Sequence, residues 1–370
     1  MKNKPSLGTL CINAGSHQAQ QGTPFRNGPQ FASTYHLSGE VDLNVHQYGR
    51  FSQPNWEALE QAFSQLEGAD TVIFPSGMSA AAAVLTSLVE PGDTVLLPSD
   101  GYAPVRYYVE KYLVKFGIEL KTIDTTDIDD YDFKGIALAL LETPSNPMLD
   151  VFDIRLASKK IQLCGGLLAI DNTTLTLLGQ QPLALGADIS ISADTKAVNG
   201  HSDVLFGHVS SKNQQVSDKI REWRKFSGNI PGPMETWLVH RSLATLDMRL
   251  ERMCENAQKL ASALQHHPKV LSIRYPGLES DPSHNIAKAQ QHLFGFVISF
   301  ELADKSTAYK FLDKCSLVYQ ATSFGGVHSM AERRARWGTD DIPEGLIRFS
   351  VGCERAEDIL ADVITALDSI

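Results

Sequence analysis

Residues 187–203 read ADISISADTKAVNGHSD, a strand-like opening that runs directly into a lysine. The first six residues set Ile189 and Ile191 among small neighbours, as in a buried strand, and Asp194, Thr195 and Lys196 follow at once. A lysine there is costly to bury unless it is paired, neutralised or covalently used. Upstream, GLLAIDN (166–172), GIALALLE (135–142), TVLLP (94–98) and TVIFP (71–75) also read as strands. Residues 79–89 and 105–117 between them have helical patterns, and Trp56, Leu59, Phe63 and Leu66 recur at the spacing of an amphipathic helix. Strands apolar on both faces and separated by helices specify an α/β fold with a mostly parallel sheet covered by helices.

Downstream the texture changes. Residues 234–264 form one long helical pattern, which leads to a smaller α/β unit with strands within 294–302, 316–324 and 345–352 and a closing helix. Residues 1–50 are polar and weakly periodic, and read as an extended arm. The expected division is an arm over 1–50, a main domain over 51–233 and a C-terminal domain over 234–370.

The chain has 370 residues and a formal charge of −10, with 43% hydrophobic and 21% charged residues. That is long enough for two domains and ordinary for a globular protein. The acidic balance argues against a nucleic-acid partner, which needs clustered Lys and Arg. The one short basic cluster, Arg333, Arg334 and Arg336, reads as a solvated or subunit-facing surface. Five scattered cysteines without a CxxC pair fit a reducing compartment. The opening residues lack the apolar core of a signal peptide, and no apolar run nears the ~20 residues that span a bilayer. The expectation is a cytoplasmic protein with no membrane partner.

In an open α/β sheet, ligands lie beyond the carboxyl ends of the strands. After TVIFP comes Ser76-Gly77-Met78-Ser79, a small-residue turn opening a helix, which can present backbone N–H groups to an anion. After GLLAI comes Asp171, a carboxylate that needs a cationic partner to stay ionised there. After ISIS comes Lys196. No GxGxxG or GxxxxGK[ST] is present, so dinucleotide and P-loop readings fail. His201-Ser202-Asp203 lacks a GxSxG elbow, and His266-His267 lacks the spacing of metal ligands. One cofactor explains the three strand ends together. Pyridoxal 5′-phosphate needs a lysine to carry it, an acid for its ring nitrogen and an anion cradle for its phosphate.

With these residues in view, the chain resembles the Cys/Met-metabolism (trans-sulfuration) family of PLP-dependent enzymes over nearly its whole length. YGRFSQPN (48–55) resembles the family's YSR segment, PSGMSA its SGM turn, and DGYAP the segment of its stacking tyrosine. ETPSNP (142–147), AIDNT, DTKAVNGHSD and LIRFSVG are similar to four further family motifs in the same order. The resemblance implies the aspartate-aminotransferase-like fold (fold type I). It implies that Tyr48 and Arg50 reach the phosphate of a neighbouring subunit's cofactor, and that Gly77, Met78 and Thr195 hold the phosphate. Tyr102 would stack on the ring, Asp171 bind its nitrogen and Asn146 lie near its hydroxyl and the substrate carboxylate. Lys196 would carry the cofactor and move protons, Arg348 bind the substrate carboxylate, and Ser323 orient lysine or substrate. Catalysis falls to Lys196 and Tyr102. The implied partners are a small amino-acid substrate and further copies of the chain, as a dimer of dimers.

Several positions depart from the family pattern. Ala193 stands where a phosphate-binding serine is usual, with Ser192 or water as a replacement donor, and Asp194 where a small residue is usual. Ala197 replaces an aromatic residue, His328 a glutamate, and Gln47 an acidic residue. The implied activity is carbon–sulfur cleavage, with γ-elimination of cystathionine to cysteine, 2-oxobutanoate and ammonia expected first. Cystathionine β-cleavage, methionine γ-cleavage and γ-replacement stand as alternatives, as does a PLP-binding protein of low turnover.

Overall fold

A computed structural model describes residues 5–15, 21–24, 26–339 and 341–370. Seven strands form the main sheet: β1 (Asp70–Phe74), β2 (Thr94–Pro98), β3 (Glu119–Ile123), β4 (Leu138–Glu142), β5 (Leu167–Asp171), β6 (Ile189–Ser192) and β7 (Gly207–Ser211). Their order is β1-β7-β6-β5-β4-β2-β3. Neighbours from β3 to β6 pair in parallel, and β7 runs antiparallel between β6 and β1. The sheet is therefore mostly parallel, and its inner strands are apolar because helices cover both faces.

The faces can be assigned by alternation. Ile189 and Ile191 of β6 and Val209 of β7 pack with the helix Gly77–Ser87. Their neighbours Ser190, Ser192 and His208 stand on the opposite face, where Phe63 of the helix Pro54–Glu67 stacks on the His208 ring at 4.2 Å.

A second sheet contains β8 (Ser272–Arg274), β9 (Val297–Glu301), β10 (Tyr319–Gln320), β11 (Met330–Arg333) and β12 (Leu346–Ser350), in the order β10-β11-β12-β9-β8. Its apolar face packs on the helices Leu246–Leu264, Lys305–Lys314 and Ala356–Asp368. No helix among the described residues is long and apolar enough to cross a membrane.

Four local expectations need correction. The pattern over 234–264 is two helices, Pro233–Leu243 and Leu246–Leu264, separated at Ala244–Thr245. The carbonyl of Ser242 accepts from Thr245 Oγ1 and from the Arg249 guanidinium, which holds the break. The helix expected over 105–117 is α-helical only over Ala103–Tyr108, and widens and then tightens before ending at Gly117. The first 50 residues are not extended throughout: Leu7–Asn13 is a helix whose Cys11 enters the core. Finally, β3, β7, β8 and β11 carry too many polar residues for periodicity to mark them.

Candidate active site

The carboxyl ends of β4, β5 and β6 approach β12 at its central residue, Arg348, through Asn146. Lys196 lies just beyond β6 in a tight turn, with its amide donating to Ala193 O and the Gly200 amide donating to Lys196 O. Its Nζ donates to Ser323 Oγ at 2.8 Å and lies 5.0 Å from the Phe324 ring centroid. Burial, reinforced by the charge of Arg348, pushes the Lys196 pKa down to about 8, against the pull of Asp171 and Glu142. A lysine so placed gains a substantial neutral, proton-accepting fraction as pH approaches 8.

Asp171 ends β5, opposite Glu142 of β4 in the paired register. Its Oδ1 accepts from the amide of Thr173 at 3.0 Å and from Thr173 Oγ1 at 2.5 Å. Thr173 Oγ1 in turn accepts from the amide of Ala193 at 2.8 Å, which ties the acid to the lysine turn. Burial raises the pKa of Asp171. Burial and then the Asp171 charge raise that of Glu142 well above the usual range. Two desolvated carboxyls with so little cation between them form a site that a bound cationic nitrogen would complete.

Arg348, on β12, is the third corner. It donates to Asn146 Oδ1 at 3.0 Å, to the Ser323 carbonyl at 3.0 Å and to Glu332 Oε1 at 2.5 Å. Ser323 thus serves both Lys196 and Arg348, and it does so at a φ of 78°, a strained conformation for a non-glycine residue. Asn146 is buried between two prolines' cis peptide bonds in the segment after β4.

Gly77 and Met78 begin the helix Gly77–Ser87, capped by Ser76 Oγ, which accepts from the Ser79 amide. A Cβ on Gly77 would fall 2.4 Å from Ala193 Cβ, so only glycine lets this helix end sit on the lysine turn. Tyr102 is 47% exposed, with its amide held by Glu142 Oε2 at 2.9 Å. Thr195 Oγ1 is engaged with Phe206, donating to its carbonyl and accepting from its amide. Tyr48 and Arg50 lie elsewhere: Arg50 donates to the Lys225 carbonyl and stacks over Tyr48 and Phe51. None of their contacts among the described residues reaches Lys196, Asp171 or Arg348.

Ala193 faces Gly77, and Ser192 stands opposite His208 on the other face of the sheet, its buried Oγ without a hydrogen-bond partner among the described residues. Ser192 therefore does not replace a donor on the Gly77 side. Asp194 is fully buried and turns to that other face as well, with His208 Nδ1 2.9 Å from its carboxylate. His328 packs edge-on against Tyr319.

Sequence reasoning missed Glu332, Thr173 and Arg249. Arg249 donates to the carbonyls of Ala197 and Val198 just after Lys196. A Cβ at Gly200, whose φ is +75°, would fall 2.0 Å from its Nη1. The glycine of NGHSD was a signal for such a close approach.

A lysine, a desolvated acid, a glycine-lined helix end and an arginine fork fit pyridoxal phosphate with an amino acid. Residues 8–368 match the model of the Cys/Met metabolism PLP-dependent enzymes. The chain belongs to that family. As a member it is a PLP-dependent enzyme of the carbon–sulfur lyase and synthase group, with a fold type I architecture. It is 45% identical over 372 residues to a putative cystathionine γ-lyase of Streptomyces coelicolor, covering 98% of this chain and 94% of that one. A cystathionine β-lyase of Lactococcus lactis subsp. cremoris is 39% identical, covering 91% of this chain and 92% of its own. The structure of a cystathionine γ-synthase from Xanthomonas oryzae pv. oryzae in complex with cystathionine superposes with a TM-score of 0.94 at 32% identity, covering 99% and 98%.

Proposed function

We propose that the family chemistry here is γ-elimination of cystathionine, giving cysteine, 2-oxobutanoate and ammonia. The observation that carries a working amino-acid site is the sharing of Ser323. Its hydroxyl takes Lys196 Nζ and its carbonyl takes Arg348, which sets the proton carrier beside the carboxylate binder. The γ-lyase assignment is supported by the likeness to the Streptomyces relative.

Bound at Lys196, pyridoxal phosphate supplies the electron sink that makes the substrate Cα–H acidic. With its amine free of the cofactor, Lys196 would take the Cα proton, hand it back, and so be able to take a Cβ proton, which would let the sulfur leave from Cγ. Arg348 holds the α-carboxylate with Asn146 beside it. Asp171 supplies the negative charge for the ring nitrogen, and Tyr102 a ring face with a hydroxyl at its edge. Gly77, Met78 and Thr195 make the phosphate cradle, with Thr195 releasing one of its Phe206 contacts. Tyr48 and Arg50 serve the site of a neighbouring copy, which makes the active form a homo-oligomer, a dimer of dimers by family likeness.

His328 favours a second reading. Where the family carries a glutamate suited to a distal ammonium group, an imidazole against Tyr319 suits β-cleavage, methionine γ-cleavage or γ-replacement as well. Identification of the keto acid released from cystathionine tests the choice. 2-Oxobutanoate supports the γ-lyase, pyruvate replaces it with a β-lyase, and no keto acid at all sinks both.

A further inference from the structure

Behind the lysine turn lies a buried ion cluster that the chemistry above does not use. His208 of β7 is wholly buried, its Nδ1 2.9 Å from both carboxylate oxygens of Asp194 and its Nε2 3.3 Å from Glu67 Oε1. Ser190 Oγ donates to the same Glu67 oxygen at 3.4 Å, and the Phe63 ring covers the imidazole. As an imidazolium, His208 donates one N–H to each carboxylate; as a neutral imidazole it satisfies only one. Burial alone would push its pKa down, but the charges and hydrogen bonds of Asp194 and Glu67 outweigh that and raise it to about 10. The ring is therefore charged at neutral pH.

Asp194 lies two residues before Lys196. Its neighbours in the turn have other partners, the Ala193 amide donating to Thr173 and Thr195 Oγ1 to the Phe206 carbonyl. Its own side chain is the anchor that ties the turn through the sheet to the helix Pro54–Glu67. Replacing a buried ion cluster with apolar groups is often neutral for stability, so fixing one geometry is the better-attested use of such a cluster.

We propose that Asp194, His208 and Glu67 are positioning residues that fix the Thr195–Lys196 turn, and so set the amine of Lys196 against the cofactor. The proposal rests on the reading of Lys196 as the cofactor lysine. It also accounts for an acid at a position where the family pattern has a small residue.

The test compares holoenzyme of the wild type, of Asp194→Asn, and of the triple variant Asp194→Ala/His208→Leu/Glu67→Gln, which removes all three charges together. Thermal midpoint, PLP dissociation constant, visible circular dichroism of the bound cofactor, and separate kcat and KM are measured. A lysine amine misplaced by a fraction of an ångström to 1 Å should cost about 10- to 100-fold in kcat. KM, set at Arg348, should stay within about twofold on the same argument. Asp194→Asn, which keeps an acceptor oxygen, should fall between wild type and triple variant in cofactor dichroism and in PLP affinity. The triple variant should lose both even where its thermal midpoint is retained. Wild-type dichroism, PLP affinity and kcat in a folded triple variant would overturn the proposal alone. Failure of borohydride to fix the cofactor on Lys196 of the wild type would overturn the underlying assignment, and the proposal with it.

Discussion

Arg348 uses different edges of one guanidinium for Asn146, the Ser323 carbonyl and Glu332, and this division of donors cannot be copied by an ammonium group. Glu332 is 1% exposed and also accepts from Trp337 Nε1, with Arg336 3.1 Å from its second oxygen. The carboxylate is thus saturated, and the arginine is held in one orientation before substrate arrives. Arg348→Lys keeps the charge but loses the planar fork. A hydrogen bond to a charged group is worth about 1.5–3 kcal/mol, so KM for the amino-acid substrate should rise about 10- to 100-fold. PLP content, measured by absorbance, should stay at the wild-type level because the hydrogen bonds of Arg348 go to Asn146, Ser323 and Glu332 rather than to the helix end at Gly77. A KM within threefold of wild type would remove Arg348 from carboxylate binding. Arg348 was legible in the sequence through LIRFSVG. Glu332 was not, because a glutamate beside three arginines reads as a surface residue until the sheet pairs it with Arg348 across β11 and β12.

At the scale of elements, the interruption at Ala244–Thr245 turns Arg249 toward the lysine segment, where it donates to the carbonyls of Ala197, Val198 and Ser242. Burial pushes its pKa down to about 10, so the guanidinium stays charged at neutral pH, and the three carbonyls are the acceptors that compensate a buried charge. Gly200→Ala forces a Cβ into that guanidinium and also into a left-handed φ of +75°. Gly135 has a similar φ of +79° but nothing within 4 Å of the added carbon, which makes Gly135→Ala a matched control. The control should cost only the left-handed strain, about 1–2 kcal/mol. Gly200→Ala should cost at least about 3 kcal/mol, because a buried charge loses its partners as well. Urea midpoints at a common slope measure the difference, and equal losses would show that Arg249 yields freely. The run of helical residues over 234–264 concealed this break because Ala244 and Thr245 do not interrupt the apolar spacing. Strand β7 was concealed for a related reason. Its sequence GHVSS reads as a polar loop, and its buried histidine is tolerable only beside Asp194 and Glu67, which lie 14 and 141 residues away. The apolar parallel strands needed no such long-range partner, and periodicity alone marked them.

For the molecule as a whole, His208 links stability to pH. Its pKa rises from 6.5 to about 10 on folding, so its contribution is complete below about pH 6.5 and is lost as pH rises through about 10. His208→Gln should therefore show a shallower fall in denaturant midpoint between pH 7 and pH 10 than the wild type, and parallel curves would contradict the ion cluster. Assembly gives the sharper test. The contacts of Tyr48 and Arg50 among the described residues do not reach their own chain's Lys196, and Phe31, Val41, Leu43 and Tyr48 are all exposed along the same segment. An apolar stretch of this kind on a globular chain marks a contact surface. If Arg50 completes the site of a neighbour across a two-fold axis, then Lys196→Ala and Arg50→Ala each abolish both sites of a homodimer by removing different halves. Mixed and reassociated at equal concentration, half of the dimers carry one variant of each kind. In each mixed dimer one site has both residues defective and the other has Lys196 from one chain and Arg50 from its partner. One site in two works in half of the dimers, so activity should return to about a quarter of the wild type. The measurement is keto-acid release after refolding the mixture, with each variant refolded alone as the blank. An Arg50→Ala variant active by itself, or a mixture no better than its parts, would place Arg50 outside the neighbour's site.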